Sequence, residues 1–283
     1  MRTSSQLRQL LSDPGMVVAP FAYDALQARL VERAGFPAVY MTGFGTAAAR
    51  GYPDVGLLTM SEMVANAKYM ASAVAIPLIC DADTGYGNPI SVWRTVQEYE
   101  AAGAAAIHIE DQVWPKKCGF FQGKRVIPRQ EMVQKVRAAV DARRDKDFVV
   151  IARTDALAVN GWHDALERAQ AYYGAGADLV FVDGIHTLEE LEAYAKALPG
   201  VPKMYNGQLL PTHELQRMGF KINIVMSTFV VVVHALRDAL SELKTSGAVG
   251  IAGSPHDPEI TELLGLPRIY EMERKYAAED NAP

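Results

Sequence analysis

The chain has only two cysteines in 283 residues, Cys80 and Cys118. That is too few for a disulfide framework, so a reducing compartment is expected. Long apolar runs are missing too: stretches such as residues 229–233 fall far short of the roughly 20 residues a membrane helix needs. The opening MRTSSQLRQLLSDPG has no apolar signal region and no small-residue cleavage site, which predicts a soluble, cytoplasmic protein. No sign of charge dominates. Lys and Arg number 28 against 33 Asp and Glu, a net charge of −5, which gives no electrostatic reason to expect nucleic acid or an anionic membrane as partner. Of the six histidines, His108 alternates with apolar residues and reads as a satisfied interior group. The other five share no spacing, so a histidine metal site is not expected.

What is present is a two-beat rhythm. Short apolar runs rich in β-branched residues occupy 17–20, 38–43, 77–83, 105–111, 148–155, 179–184, 202–207 and 222–227. Most are apolar along much of their length, as parallel strands buried on both faces require. Amphipathic stretches at 22–34, 61–74, 90–102, 130–143, 163–173 and 187–198 read as helices. The first places Leu26, Leu30 and Val31 on one face, the second opens with Ser61-Glu-Met, and Thr187 with Glu190 forms a capping box. The pairs Ala34-Gly35, Ala102-Gly103 and Ala175-Gly176 mark helix ends.

Eight such units predict an α/β fold, a (β/α)8 TIM barrel. An open doubly wound sheet that binds a dinucleotide would need a glycine-rich turn after its first strand, and Ala19-Pro-Phe-Ala22 is not one. The barrel is expected over residues 1–245. A C-terminal helical extension, 246–283, follows, with a glycine-containing hinge at 247–255 and a last helix near 259–278.

Function in such a barrel gathers at the C-terminal strand ends. There the sequence places Asp81 and Asp83, then Glu110 and Asp111, Arg153 and Asp155, Asp183, and Asn206, with Asp54 on an earlier loop. Carboxylates converging on one mouth repel unless a cation sits among them, and no run of lysines accompanies them. A hard divalent cation with oxygen ligands and retained waters resolves this: Mg2+, with Mn2+ as the alternative. Asp81, Asp83, Glu110 and Asp54 are the candidate ligands. Asp111 and Asp155 read instead as helix caps. Cys118 follows Lys116-Lys117 and precedes a glycine, a partly exposed, electropositive setting that favours a reactive thiol. Cys80, inside an apolar strand, reads as a small core residue. Arg153 offers a bidentate carboxylate fork. The basic stretch 135–144 reads as a solvated outer face.

Taken in order, Tyr23-Asp-Ala-Leu, Tyr40-Met-Thr-Gly43, Gly51-Tyr-Pro-Asp54, Asp81-Ala-Asp-Thr-Gly-Tyr-Gly87, Ile109-Glu-Asp-Gln112, Lys116-Lys-Cys-Gly119 and Ala152-Arg-Thr-Asp155 resemble the isocitrate lyase/phosphoenolpyruvate mutase superfamily, in its methylisocitrate lyase, dimethylmalate lyase and carboxyphosphonoenolpyruvate-mutase-like branch. The resemblance covers nearly the whole chain. It implies a Mg2+-dependent carbon–carbon lyase acting on 2-hydroxy or 2-oxo dicarboxylates, and a homotetramer whose last helices swap between subunits. It implies Asp81 as the direct ligand, with Asp54, Asp83 and Glu110 holding waters. Tyr40, Thr42, Gly43, Arg153, Asp183 and Asn206 would bind substrate, with Cys118 as proton donor and Lys116 as the lysine of its mobile loop.

Four departures mark this chain. Phe120 stands where the family usually has histidine, and Asp183 where glutamate is usual. Gly207-Gln-Leu-Leu-Pro-Thr212 lacks a common Gly-Gly-Lys-Thr-Pro-like run, and Phe44 replaces a smaller residue. All four are expected near the leaving-group end of the substrate or the loop. Two rival readings therefore stand beside the lyase: oxaloacetate decarboxylation or hydrolysis, or phosphonate P–C chemistry, at the same metal; and an inactive relative that binds 2-oxo acids.

Overall fold

In a computed structural model of the chain, which describes residues 2–119, 121–225, 227–250 and 257–277, each apolar run becomes a strand. These are β1 (Val17–Ala22), β2 (Val39–Met41), β3 (Leu78–Asp81), β4 (Ala106–Glu110), β5 (Val149–Thr154), β6 (Leu179–Val182), β7 (Lys203–Asn206) and β8 (Phe220–Val225). They pair in parallel in sequence order and close into a barrel, β1 meeting β8 from Val17↔Ile222 to Pro20↔Val225. Alternate residues separate into two environments. Ala19, Tyr40, Ile79, Ala106, Ile151, Phe181 and Ile222 pack together as the barrel interior, and their neighbours pack under the surrounding helices. Leu7, on an unpredicted helix Thr3–Ser12, joins the interior cluster. Arg8 of that helix pairs with Asp178 at 2.8 Å.

The helices differ from expectation in instructive places. Helix Ala25–Arg33 buries Gln27, Ala28 and Val31, whereas Leu26 and Leu30 are about half exposed, so the face assigned to those leucines is corrected. Helix Met60–Ala73 is capped by Thr59 in a box with Glu62, two residues ahead of the Ser61 signal. The Thr187–Glu190 box is present, and Gly35, Gly103 and Gly176 all take positive φ. Helix Arg129–Asp141 is not a purely solvated face. Lys135 is buried, with its ammonium pKa lowered by desolvation, and Arg143 donates to Asp178. Short helices Gly43–Ala48, Ala156–Asn160 and Thr212–Arg217 were not expected; the first two begin directly after strands.

The chain divides into two compact units, Met1–Thr228 and Phe229–Pro283. Helix Thr228–Ser246 leads the second, followed by Pro258–Leu263 and Leu266–Lys275, split by Gly265 in left-handed conformation. None of these helices contains a buried residue. The expected hinge lies, from residue 251 onward, outside the described residues. Among the described residues no helix is long and apolar enough to cross a membrane.

Candidate active site at the C-terminal strand ends

The turn after β3 brings Asp81 and Asp83 together. The Asp83 amide donates to Asp81 Oδ1 at 2.9 Å, which holds Asp83 at φ 47°, a conformation that non-glycine residues seldom adopt. On the other side, the Gly43 amide donates to Asp81 Oδ2 at 3.3 Å. A Cβ on Gly43 would stand 3.0 Å from the Asp81 carboxyl carbon, so this approach requires glycine. Lys116 reaches in from the loop after β4. Its Nζ lies 2.5 Å from Asp54 and 2.8 Å from Asp83. There is no run of lysines, as expected, but a single lysine from that loop sits between two of the carboxylates.

The second half of the site is built on β5. Arg153 forks onto Asp155 at 2.9 and 3.0 Å, donates to Asp183 at 2.6 Å, and lies 3.3 Å from Glu110. Its pKa is raised because these carboxylates outweigh its burial. The capping roles expected for Asp111 and Asp155 are corrected. Asp155 precedes helix Ala156–Asn160 but makes no capping bond; its carboxylate is committed to Arg153 and Lys124. Asp111 is fully buried and accepts from Thr154, the Asp155 amide, Arg168 and Tyr172, bracing the end of β5 from behind. A short strand-to-helix turn offers the same residue types for capping and for ion pairing, and only the barrel's curvature decides between them.

Cys118 is buried at 7% exposure, contrary to the partly exposed setting expected. Its amide donates to the Asp54 carbonyl at 2.9 Å, and Gln112 exchanges two hydrogen bonds with Lys117, so the loop folds inward. Neither cysteine is in a disulfide, and Cys80 is fully buried as expected. Cys118, Asp54, Asp81, Lys116, Arg153 and Asp183 line one cavity of about 50 Å3. Tyr40, Thr42, Phe44, Gly119 and Asn206 complete most of its wall. All twelve residues singled out from the sequence therefore converge, Gly43, Asp83 and Glu110 through their bonds to lining groups. Of the departures, Phe44 and Asp183 face the cavity. Phe44 meets Phe121 edge-on at 6.4 Å, and Phe120 lies outside the described residues. A larger cleft, about 630 Å3 near Arg2, Glu100 and Arg144, contains none of the candidate residues.

Burial opposes ionisation of Asp81, but His108, Lys116 and Arg153 outweigh it and bring its pKa down to about 2. Desolvation, helped by Asp81 and Asp54, pushes Asp83 up to about 6 against the pull of Lys116, and burial raises Glu110. Fully buried His108 accepts or donates at Nε2 with the Tyr40 hydroxyl at 2.7 Å, while Nδ1 has no partner, so it is only half satisfied. Burial lowers its pKa to about 4. Between pH 6.5 and 4 the unfolded chain then binds a proton that the native chain refuses, so stability should fall by about 3 kcal/mol on acidification. Asp83 acts oppositely, because its raised pKa lets the native state take up a proton as pH falls. Urea midpoints against pH for the wild type and His108→Gln isolate the histidine: the difference between the curves should grow with pH across this window. A flat difference would rule out a neutral buried His108.

The donor chemistry fits a hard cation. Asp54, Asp81, Asp83, Glu110, Asp155 and Asp183 outnumber the cations beside them among the described residues, Lys116, Lys124 and Arg153, with His108 near Asp81, and buried Glu110 Oε1 has no hydrogen-bond partner there. Among the described residues no three Asp, Glu, His or Cys groups share ligating geometry.

Comparison with known proteins shows what the whole chain is similar to. The family model for phosphoenolpyruvate phosphomutase matches residues 7–244. The 2,3-dimethylmalate lyase of Eubacterium barkeri is 44% identical, the alignment covering 98% of this chain and 99% of that one. A structure of oxaloacetate acetylhydrolase with 3,3-difluorooxalacetate superposes with a TM-score of 0.91 at 37% identity, covering 96% of each chain. Phosphonopyruvate hydrolase in complex with oxalate and Mg2+ gives a TM-score of 0.90 at 34% identity, covering 98% of this chain and 99% of that one.

Proposed function

Because the chain belongs to the phosphoenolpyruvate phosphomutase family, we propose that it is a Mg2+-dependent carbon–carbon lyase. Its substrate would be a 2-hydroxy di- or tricarboxylate of the alkylmalate or methylisocitrate type, cleaved to a 2-oxo acid and a carboxylate. Asp81 would hold the ion directly, and Asp54, Asp83 and Glu110 through water. Bound there, Mg2+ supplies Lewis acidity to the substrate's 2-hydroxyl and neighbouring carboxylate.

The chain's own groups do the rest. Arg153, Tyr40, Thr42, the Gly43 segment and Asn206 bind and orient the carboxylates. The 2-hydroxyl proton passes to a carboxylate of the site and C2 becomes a carbonyl. The C2–C3 bond breaks with its electron pair on C3, and the Cys118 S–H bond breaks to form the new C3–H bond. Lys116 places a positive charge beside the thiolate that remains. The observation that carries this reading is the cavity itself: Cys118, Arg153, Asp54 and Asp81 line the same space.

The test is a panel of 2-hydroxy dicarboxylates, alkyl-substituted malates and 2-methylisocitrate included, assayed for 2-oxo acid. Release is expected from at least one, at least about 100-fold slower after EDTA and restored by Mg2+. Absence of release from the whole panel would contradict the lyase. Decarboxylation or hydrolysis of oxaloacetate, or P–C bond rearrangement in a phosphonate, is the second reading, favoured by the sequence departures at Asp183 and Phe120. It predicts that oxaloacetate is consumed even by Cys118→Ser. Tight oxalate binding without turnover would instead mark an inactive relative.

The barrel is the catalytic part, and the helix Thr228–Ser246 together with the extension expected over 246–283 serves assembly. Val231, Leu236, Leu240 and Leu243 lie exposed on a helix that buries nothing, which supports helices exchanged between subunits of a homotetramer; the same preparation should sediment as four chains. Two cysteines outside disulfides are in keeping with the cytoplasm.

A further inference from the structure

Lys124 takes no part in the chemistry above, yet it is 9% exposed and fully engaged. Its Nζ donates to the Gly119 carbonyl at 2.6 Å and to Asp155 Oδ1 at 3.0 Å. That same Asp155 oxygen accepts from Arg153 Nη2 at 3.0 Å. One ammonium therefore links the residue next to Cys118 with the carboxylate that fixes the substrate-binding arginine. The contact at Gly119 is close. A Cβ there would collide with Asp183 Oδ2 and stand 2.9 Å from Arg153 Nη2, so the loop backbone lies directly on the Arg153–Asp183 pair. The loop is tied on its far side as well, where the Cys118 amide donates to the Asp54 carbonyl.

We propose that Lys124 is a positioning residue: it clamps the Cys118-bearing backbone against Arg153 through Gly119 and Asp155, and so sets both the burial and the aim of the thiol. The proposal rests on the reading of Cys118 as the reacting group, but not on the identity of the substrate. A lysine that merely neutralised Asp155 would leave Cys118 where it is when removed. A clamp would release it, because the Gly119 carbonyl would lose the bond it accepts from the Lys124 ammonium.

The experiment is alkylation of the whole protein by iodoacetamide, followed at Cys118 by mass spectrometry, with fully buried Cys80 as internal control. In Lys124→Met, labelling of Cys118 should rise by about ten-fold or more while Cys80 stays unlabelled. In Lys124→Arg, which keeps a donor and the charge, labelling should return towards the wild-type rate. On the cleaved substrate, kcat should fall more than KM rises. Labelling of Cys118 at the wild-type rate in folded Lys124→Met overturns the clamp. So does labelling of both cysteines together, which reports general loosening. Should Lys124→Met not fold, Lys124→Gln carries the same comparison, with labelling between wild type and full release expected and the wild-type rate again overturning it. These readouts need no turnover, so an enzyme that proves inactive on every substrate would refute the lyase reading and leave this one standing or falling on its own.

Discussion

Cys118→Ser is expected to lower cleavage of the substrate by about 10²- to 10⁴-fold, the usual worth of a positioned general acid. Serine keeps the size and the hydrogen-bonding capacity of the side chain, but its hydroxyl is far less acidic than a thiol and protonates a carbanion-like carbon poorly. The Cys118 amide bond to Asp54 is made by the backbone and survives the change. Binding of oxalate with Mg2+, measured by calorimetry, should therefore stay within a few-fold of wild type, since oxalate needs no proton. Wild-type turnover in this variant would show that Cys118 does not deliver the proton. Loss of oxalate binding together with turnover would show that it holds the loop rather than doing chemistry.

Arg153→Met is expected to destabilise the fold by about 3–5 kcal/mol, the cost of leaving buried charges without their partner. Arg153 is 7% exposed and shared by Asp155, Asp183 and Glu110. Methionine fills part of the volume but returns none of the charge. The orphaned carboxylates would then be harder to ionise. Their pKa values would rise above the unfolded values, the native state would bind the extra protons, and stability would recover as pH falls from neutrality. Urea unfolding at neutral and acidic pH checks both signs. A loss under about 1 kcal/mol at neutral pH, or a further loss on acidification, would mean that the arginine does not hold this network together.

Much of this was legible in the chain. Strands buried on both faces must be apolar along their length, so all eight can be read from composition alone. The site residues end those strands, which puts them at one mouth once the barrel closes. What escaped was set by the third dimension. Lys116 reads as a loop cation until the loop folds inward and seats it between Asp54 and Asp83. Cys118 reads as exposed for the same reason. Asp111 and Asp155 look like caps because a cap and an ion-pair partner are the same residue at the same turn; Arg168 and Arg153, far away in sequence or on the facing side of the strand, claim them. Leu26 and Leu30 follow a helical period but lie on the side that the barrel does not cover. Lys124 and Gly119 carried no signal beyond a charge and a glycine in a polar loop. Their meaning depends on the Arg153–Asp155–Asp183 cluster that they touch.

The central claim is that the thiol of Cys118 gives its proton to the carbon released by cleavage. Running the reaction of a substrate found in the panel in D2O, and examining the carboxylate product by NMR and mass spectrometry, tests it most directly. A cysteine thiol exchanges with solvent before each turnover, so a single deuterium should appear at the former C3, on one face only. Deuterium distributed over both faces would mean protonation by free water, and a carboxylate product with no deuterium at that carbon would mean that no carbon–carbon bond was cleaved there.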